Sequence, residues 1–352
     1  MKIKKGSVFL SILQVIRQNL AQFLPEGMKG GTGVHPGEMV AVLPKDAIQS
    51  IFKPVFVSGA EACAQMTESE KVLAVEINGE FRAYPINILS VHEIVNDMAD
   101  GMPFMVTWCP LSYTSAVYSR TLLDRVLHFG VSGNILRNGL VMYDEETGSQ
   151  WSQLTGEAIS GSLTGTHLNR LPAVLTTWDA WYREFPESTL LSKEASPFGF
   201  YEEDHMSDYY QSGKTGIRAP LHRDKRIANK EIVIGLTFGG DTAAYPFTVL
   251  NERGVLHDTI SEEKIVVFFD GQAQCATAFY SKVDSTYLSF HRERHKIIDD
   301  QTGSVWSSLS GSAVSGPLQG QRLRLLPSAT SFWFVWKDYF PETRLIALPR
   351  IH

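Results

Sequence analysis

The chain is poor in several features, and each shortage excludes something. Only three cysteines occur in 352 residues, Cys63, Cys109 and Cys275, with no Cys-x-x-Cys spacing. An odd, sparse set gives no disulfide framework and suits a reducing compartment, so a cytoplasmic protein is expected. Basic runs are missing: 32 Lys and Arg against 38 Asp and Glu leave a net charge of −6. That balance argues against a nucleic-acid partner, whose phosphates need neutralising cations. No stretch approaches the ~20 apolar residues of a transmembrane helix, so no integral membrane segment is expected. There is no zinc-protease motif and no serine-nucleophile elbow, and the glycines from Gly27 to Gly33 lack the spacing of a phosphate loop. A small molecule is the partner these absences leave.

What is present begins with an ordinary globular composition, rich enough in apolar residues for a sizeable core. Near the amino terminus, Lys2, Lys4 and Lys5 precede an apolar run from Val8 that Ser11 and Gln14 interrupt and Arg17 ends. No small-residue cleavage site follows, so the spacing predicts an amphipathic helix over Val8 to Phe23 rather than a signal peptide.

The dominant feature is an internal repeat. Asp144 to Pro172 aligns without a gap to Asp299 to Pro327, with about 16 of 29 positions identical by direct count. Upstream, Ala83-Tyr84-Pro85 matches Ala244-Tyr245-Pro246; downstream, Trp178 to Glu187 matches Trp333 to Glu342. Each copy opens with two alternating apolar runs around a tight turn, Asn78-Gly79 in the first and Gly239-Gly240 in the second, a strong hairpin signal. Pro85 then starts a helix predicted over Ile86 to Val95. Strands are predicted at Phe104–Trp108, Ser115–Tyr118, Val126–Val131 and Leu140–Tyr143. A last helix, Trp178 to Phe185, follows the N-cap Thr177. The fold class expected is α+β, mainly antiparallel β with short helices: one β-rich unit duplicated in tandem and packed as a pseudo-two-fold body. The organisation expected is an extension over 1–50 with the helix and a Gly-rich loop, a site-bearing first repeat over 51–192, an aromatic-rich connector over 193–231 and a scaffold repeat over 232–352. The connector holds Phe198, Phe200, Tyr201, Tyr209 and Tyr210. At this length and composition it packs on a surface, as brace or lid.

Duplication supplies an internal control. Residues common to both copies, such as Trp151 and Trp306, read as scaffold. Polar residues confined to one copy are candidates for function. The first copy alone has His92, where the second has Arg253, and Cys109, where the second has Asp270. Asn96 stands against His257, and Asn138 has no clear counterpart. A His and a Cys together can hold copper or zinc, or pair as nucleophile and base.

Asn87 to Asp97, Val106-Thr-Trp-Cys-Pro-Leu-Ser-Tyr-Thr114, Phe129 to Gly133, Leu140 to Asp144 and Trp151 to Ala158 together resemble the bacterial domain-of-unknown-function family 3179. The likeness runs from about residue 40 to the carboxyl end. Members usually carry Cys-Pro-x-Cys-x-Thr, which looks like a metal or redox site, and are often exported. This chain has Ser112 in place of the second cysteine, and a hydroxyl is a poor soft-metal ligand. The family name assigns no activity, but the confinement of His92 and Cys109 to the first copy leads us to expect an enzyme acting on a small organic molecule through a His/Cys site, as a copper-dependent oxidoreductase with His92, Cys109 and His128 as ligands. Asn96, Asp97 and Tyr113 join His92 and Cys109 as the catalytic set, and Ser112, Thr114, Tyr118 and Asn138 line the expected pocket. Two alternatives stand beside this: a metal-free cyclase or rearrangement catalyst, and a small-molecule-binding protein without turnover.

Overall fold

A computed structural model describes residues 38–195 and 201–347. The helix expected over Val8 to Phe23, the Gly-rich stretch, Phe198 and Phe200 lie outside the described residues.

The architecture is mainly antiparallel β with a few short helices. Two sets of three sheets recur along the chain. In the first set, the hairpin Lys71–Ile77 and Glu80–Pro85 is flanked by Val174–Thr177 and by Thr189–Leu191, the latter parallel. In the second, Ile232–Phe238 and Asp241–Pro246 are flanked in the same senses by Ala329–Phe332 and Arg344–Leu345. The meander Ile94–Ala99, Met102–Cys109, Thr114–Ser119 has its counterpart in Val255–Ile260, Glu263–Asp270, Cys275–Tyr280. A third sheet runs Phe129–Leu136, Gly139–Asp144, Gln150–Ser152, Ala158–Ser160; its counterpart starts at Phe290–Glu293. Asn78 and Gly79 close the first hairpin at φ 49° and 86°, the double positive φ such a turn demands.

The helix expected over Ile86 to Val95 is shorter, Ile86–His92, because Glu93 adopts φ 57° and turns the chain straight into strand Ile94–Ala99. The strand expected at Val126–Val131 is divided into Arg125–Val126 and Phe129–Leu136. The second helix covers Trp178–Glu184, with the Thr177 hydroxyl accepting the Ala180 N–H at 3.3 Å.

Matched polar ties hold each set. Asp144 accepts the Trp151 indole N–H at 2.9 Å, as Asp299 accepts that of Trp306. Tyr84 donates to Asp97 at 2.5 Å and Tyr245 to Asp258 at 2.6 Å. Asn96 pins strand to strand by donating to the Phe129 carbonyl at 2.9 Å and accepting the Phe129 N–H at 2.8 Å. His257 reaches the backbone of Phe290 with a single ring nitrogen: Nε2 lies 2.9 Å from the Phe290 N and 3.1 Å from its carbonyl oxygen, and can make one of the two hydrogen bonds. Between the sets the core is continuous: Leu136, Val141 and Leu154 pack with Val233, Trp333 and Trp336. Reciprocally, Val72, Trp178 and Trp181 pack with Ala273, Cys275 and Leu309.

Because a histidine at this place can keep one of the two bonds that Asn96 makes, Asn96→His should cost about 1 kcal/mol in urea denaturation. Asn96→Ala leaves both backbone groups of Phe129 unpaired and should cost about 2–3 kcal/mol. Equal losses in the two variants would show that the tie is specific to the amide.

Candidate functional site

The helix Ile86–His92 and the hairpin Met102–Cys109/Thr114–Ser119 bring several of the expected site residues to one region, and the connector crosses over it. Cys109 ends its strand, 2% exposed. It stands where Asp270 stands in the second meander, at the head of the same turn: Asp270 accepts the N–H groups of Gln272 and Ala273. The Cys109 sulfur lies 3.9 Å from the Asn138 carbonyl and beside Ser112, and Glu93, Tyr209 and Tyr339 are near enough for their charges to be felt there. Burial, reinforced by the neighbouring Glu93 carboxyl, pushes the Cys109 thiol up to about 11. It is a protonated thiol at neutral pH, not a ready nucleophile.

Glu93 is the residue that sequence reasoning missed. Its carboxyl is buried, 8% exposed, and burial alone raises it to about 8. Its backbone is left-handed, which costs a non-glycine residue roughly 1–2 kcal/mol. The corresponding position in the second set is Gly254, at φ 70°. A signal was available: the alignment that set His92 against Arg253 also set Glu93 against glycine.

His92 is held on both ring nitrogens. Nδ1 lies 2.6 Å from the Gln49 carbonyl and Nε2 lies 2.5 Å from the Tyr201 hydroxyl. A carbonyl only accepts, so Nδ1 carries the proton and Nε2 is left to accept from Tyr201. Burial lowers the His92 pKa, favouring this neutral ring. No hydrogen bond joins His92 to Cys109.

The connector closes the region as a strap. Asn138 Oδ1 accepts the N–H groups of Ile217 and Arg218, both at 2.9 Å, and its Nδ2 donates to the Arg218 carbonyl at 3.0 Å. Tyr209 donates to the Leu111 carbonyl at 2.7 Å and accepts the Gly216 N–H at 2.9 Å. Tyr210 packs edge-on to Tyr113, which packs edge-on to Trp108. The hydroxyls of Ser90 and Tyr210 and the Trp108 indole N–H are buried there without a hydrogen bond of ordinary geometry among the described residues.

The remaining expected residues divide. Ser112 and Thr114 are buried; Thr114 donates to Ser331 at 3.3 Å and the Ser112 carbonyl accepts the Phe332 N–H at 2.8 Å, so both serve the junction between the sets. Tyr113 lies under the strap at φ 56°, but Gln274 has a like φ of 45°, so that backbone belongs to the turn. Tyr118 is committed to the Gln153 carbonyl at 2.8 Å and to Arg170. Asp97 and Asn96, expected in the catalytic set, are spent in the strand ties above. His128, expected as a metal ligand, is at the surface with Nδ1 2.7 Å from Glu146. Among the described residues no three His, Cys, Asp or Glu side chains converge as a metal-binding group. His92, Cys109 and His128, the expected ligands, are not brought together as a group: His92 lies against Gln49 and Tyr201, and His128 against Glu146. Cys275 lies beside Lys71 and Thr176, away from Cys109's neighbours.

Residues 45–343 match the family described as a protein of unknown function, DUF3179. No curated protein and no solved structure matches the chain. No helix among the described residues is long and apolar enough to cross a membrane.

Two outcomes are expected. Glu93 is raised in the folded state from an ordinary carboxyl value near 4.5 to about 8, so the native protein binds the extra proton between these values. Stability should fall as pH rises from about 4.5 to 8 and level off above, by a few kcal/mol. Glu93→Gln should erase that slope in denaturation curves taken across the range. In thiol labelling of the native protein, exposed Cys63 should react at once while Cys109 and Cys275 resist. Gly216→Ala should selectively speed Cys109, because a Cβ there, at φ +59°, would meet Asn138 Oδ1 at 2.3 Å and lift the strap.

Proposed function

The chain belongs to the DUF3179 family, and as that membership brings no activity with it, we propose from the site itself that the protein is a metal-independent enzyme acting on a small organic molecule. The reaction class is acid-catalysed cyclisation or rearrangement. One observation carries this: a buried carboxyl without a cationic partner among the described residues, at a backbone position that the other set gives to glycine. Such a group costs stability twice, through burial and through its left-handed backbone, and a cost of that kind is characteristic of functional sites.

Near neutrality Glu93 holds its proton, as a general acid must. It gives that proton to an oxygen of the bound molecule as a new ring or rearranged bond forms, and recovers a proton when the product regains neutrality. Nothing is oxidised or reduced, so no co-reactant is needed. The Cys109 thiol, protonated and close to Glu93, keeps the site uncharged. Tyr113, Tyr209 and Tyr210 form its aromatic cover. His92, bonded to Tyr201, and Asn138, bonded to Ile217 and Arg218, act as positioning residues that hold the strap and keep water out. Substrate entry requires the strap to lift.

We also read residues 51–192 and 232–352 as products of one tandem duplication packed about a pseudo-two-fold axis, with 193–231 as the connector turned strap. The repeated strand orders and the paired ties Asp144–Trp151 and Asp299–Trp306 support this reading.

The test is consumption of small molecules from a metabolite extract, followed by mass spectrometry in the presence of chelator. Wild type should deplete at least one compound and Glu93→Gln should spare it, with a loss of 10²-fold or more in rate. Depletion that chelator abolishes, or that survives in Glu93→Gln, would overturn the reading. Compounds retained by the protein but never consumed would make it a binding protein.

A further inference from the structure

A cleft of about 580 Å3 lies between the two halves and is lined by none of Glu93, Cys109 or the strap residues above them. One wall comes from the segment Leu154 to Arg170, the other from the Leu236–Phe238 end of the second hairpin and from Ile265, Tyr280 and Leu326.

Its openness has a specific cause. The halves meet at two related junctions. At one, Arg322 pairs with Glu76 at 2.6 Å, and the Ser310 hydroxyl donates to Glu184. These contacts bolt the second half's loop segment onto the first half's hairpin and helix. At the other junction, the ungapped alignment puts His167 at the place of Arg322 and Thr155 at that of Ser310. Counting back from the hairpin turns puts Thr237 at the place of Glu76. Tyr339, at the place of Glu184, turns away and donates to the Leu136 carbonyl at 2.8 Å. Neither bolt is made, and the cleft remains.

At one position the open junction carries a cation where the closed one carries an apolar residue. Arg170 lines it where the alignment gives Leu325. The guanidinium donates to the Tyr118 hydroxyl and the Leu154 carbonyl, and no ion pair with a carboxylate holds it among the described residues. Glu157, which also lines the cleft, faces His167 at 3.8 Å instead. An arginine fork beside an apolar wall suits a carboxylate head with an apolar body. Glu157 and Glu263 in the same cleft disfavour a dianion such as phosphate.

We propose that this cleft is a second small-molecule site, taking an apolar monocarboxylate whose head pairs with Arg170 and whose body lies against Leu236, Ile265 and Leu326.

The test is calorimetric titration of the full chain with 4-phenylbutanoate and with its neutral amide. The acid should bind at least tenfold more tightly than the amide. Arg170→Leu should remove that preference while leaving amide binding. The double variant His167→Arg/Thr237→Glu rebuilds the bolt seen at Arg322 and Glu76, and should abolish binding of both probes with an unchanged or raised Tm. Glu93→Gln should bind as wild type does, which separates this site from the strap-covered one. Equal affinity for acid and amide, no binding of either at millimolar concentration, undiminished binding in a folded double variant, or loss in Glu93→Gln would each overturn the proposal.

Discussion

The first half of this protein turns on a single left-handed residue. A seven-residue helix ends at His92, and the strand that begins the meander starts at Ile94. With one residue to reverse the chain, positive φ at position 93 is compulsory, and the register of the meander follows from it. The second half meets the same demand with glycine. Placing glutamate there costs backbone strain, yet it buries a carboxyl near enough to Cys109 to raise its pKa. Scaffold geometry and candidate chemistry therefore share one residue.

The surroundings of that carboxyl are made by the strap. Asn138, Tyr209 and Tyr201 tie the connector down through its backbone and through His92, in the region where Glu93 and Cys109 are buried. Desolvation then moves every titratable group there the same way, toward its neutral form: Glu93 to about 8, Cys109 to about 11 and Tyr209 to about 12. A dry, uncharged site favours a positioned acid over a thiolate nucleophile. The connector is thus both brace and cover, and opening it exposes groups whose pKa values depend on its being shut.

Comparing the halves shows which differences carry meaning. Asn96 and His257 differ as residues but reach the same backbone position of the neighbouring sheet, Phe129 and Phe290 respectively. Cys109 and Asp270 head the same turn. Thr114 and Cys275 hold corresponding junction positions, against Ser331 and Thr176 respectively. A difference in residue type is informative only when the partners differ too. That holds at Glu93 against Gly254, and at His167 and Thr237 against Arg322 and Glu76, where a closed junction has become an open cleft.

The sequence alone determined the mainly antiparallel class, the hairpin turns, the N-cap at Thr177 and the family resemblance, because these rest on local spacing and on residues close along the chain. It also singled out Cys109, Ser112, Tyr113 and Asn138, which the structure brings together under the connector. Tertiary structure alone decided the rest. The helix stops at His92 because a strand must pair with Met102–Cys109, and Asp97 is spent on Tyr84 and Arg82. His128 faces Glu146 instead of Cys109. Partners far apart in the chain set such outcomes, since burial and pairing depend on what folds across a residue and not on what precedes it. For the same reason the weight of Glu93 became visible only once its carboxyl was seen to be buried, with no cation beside it among the described residues.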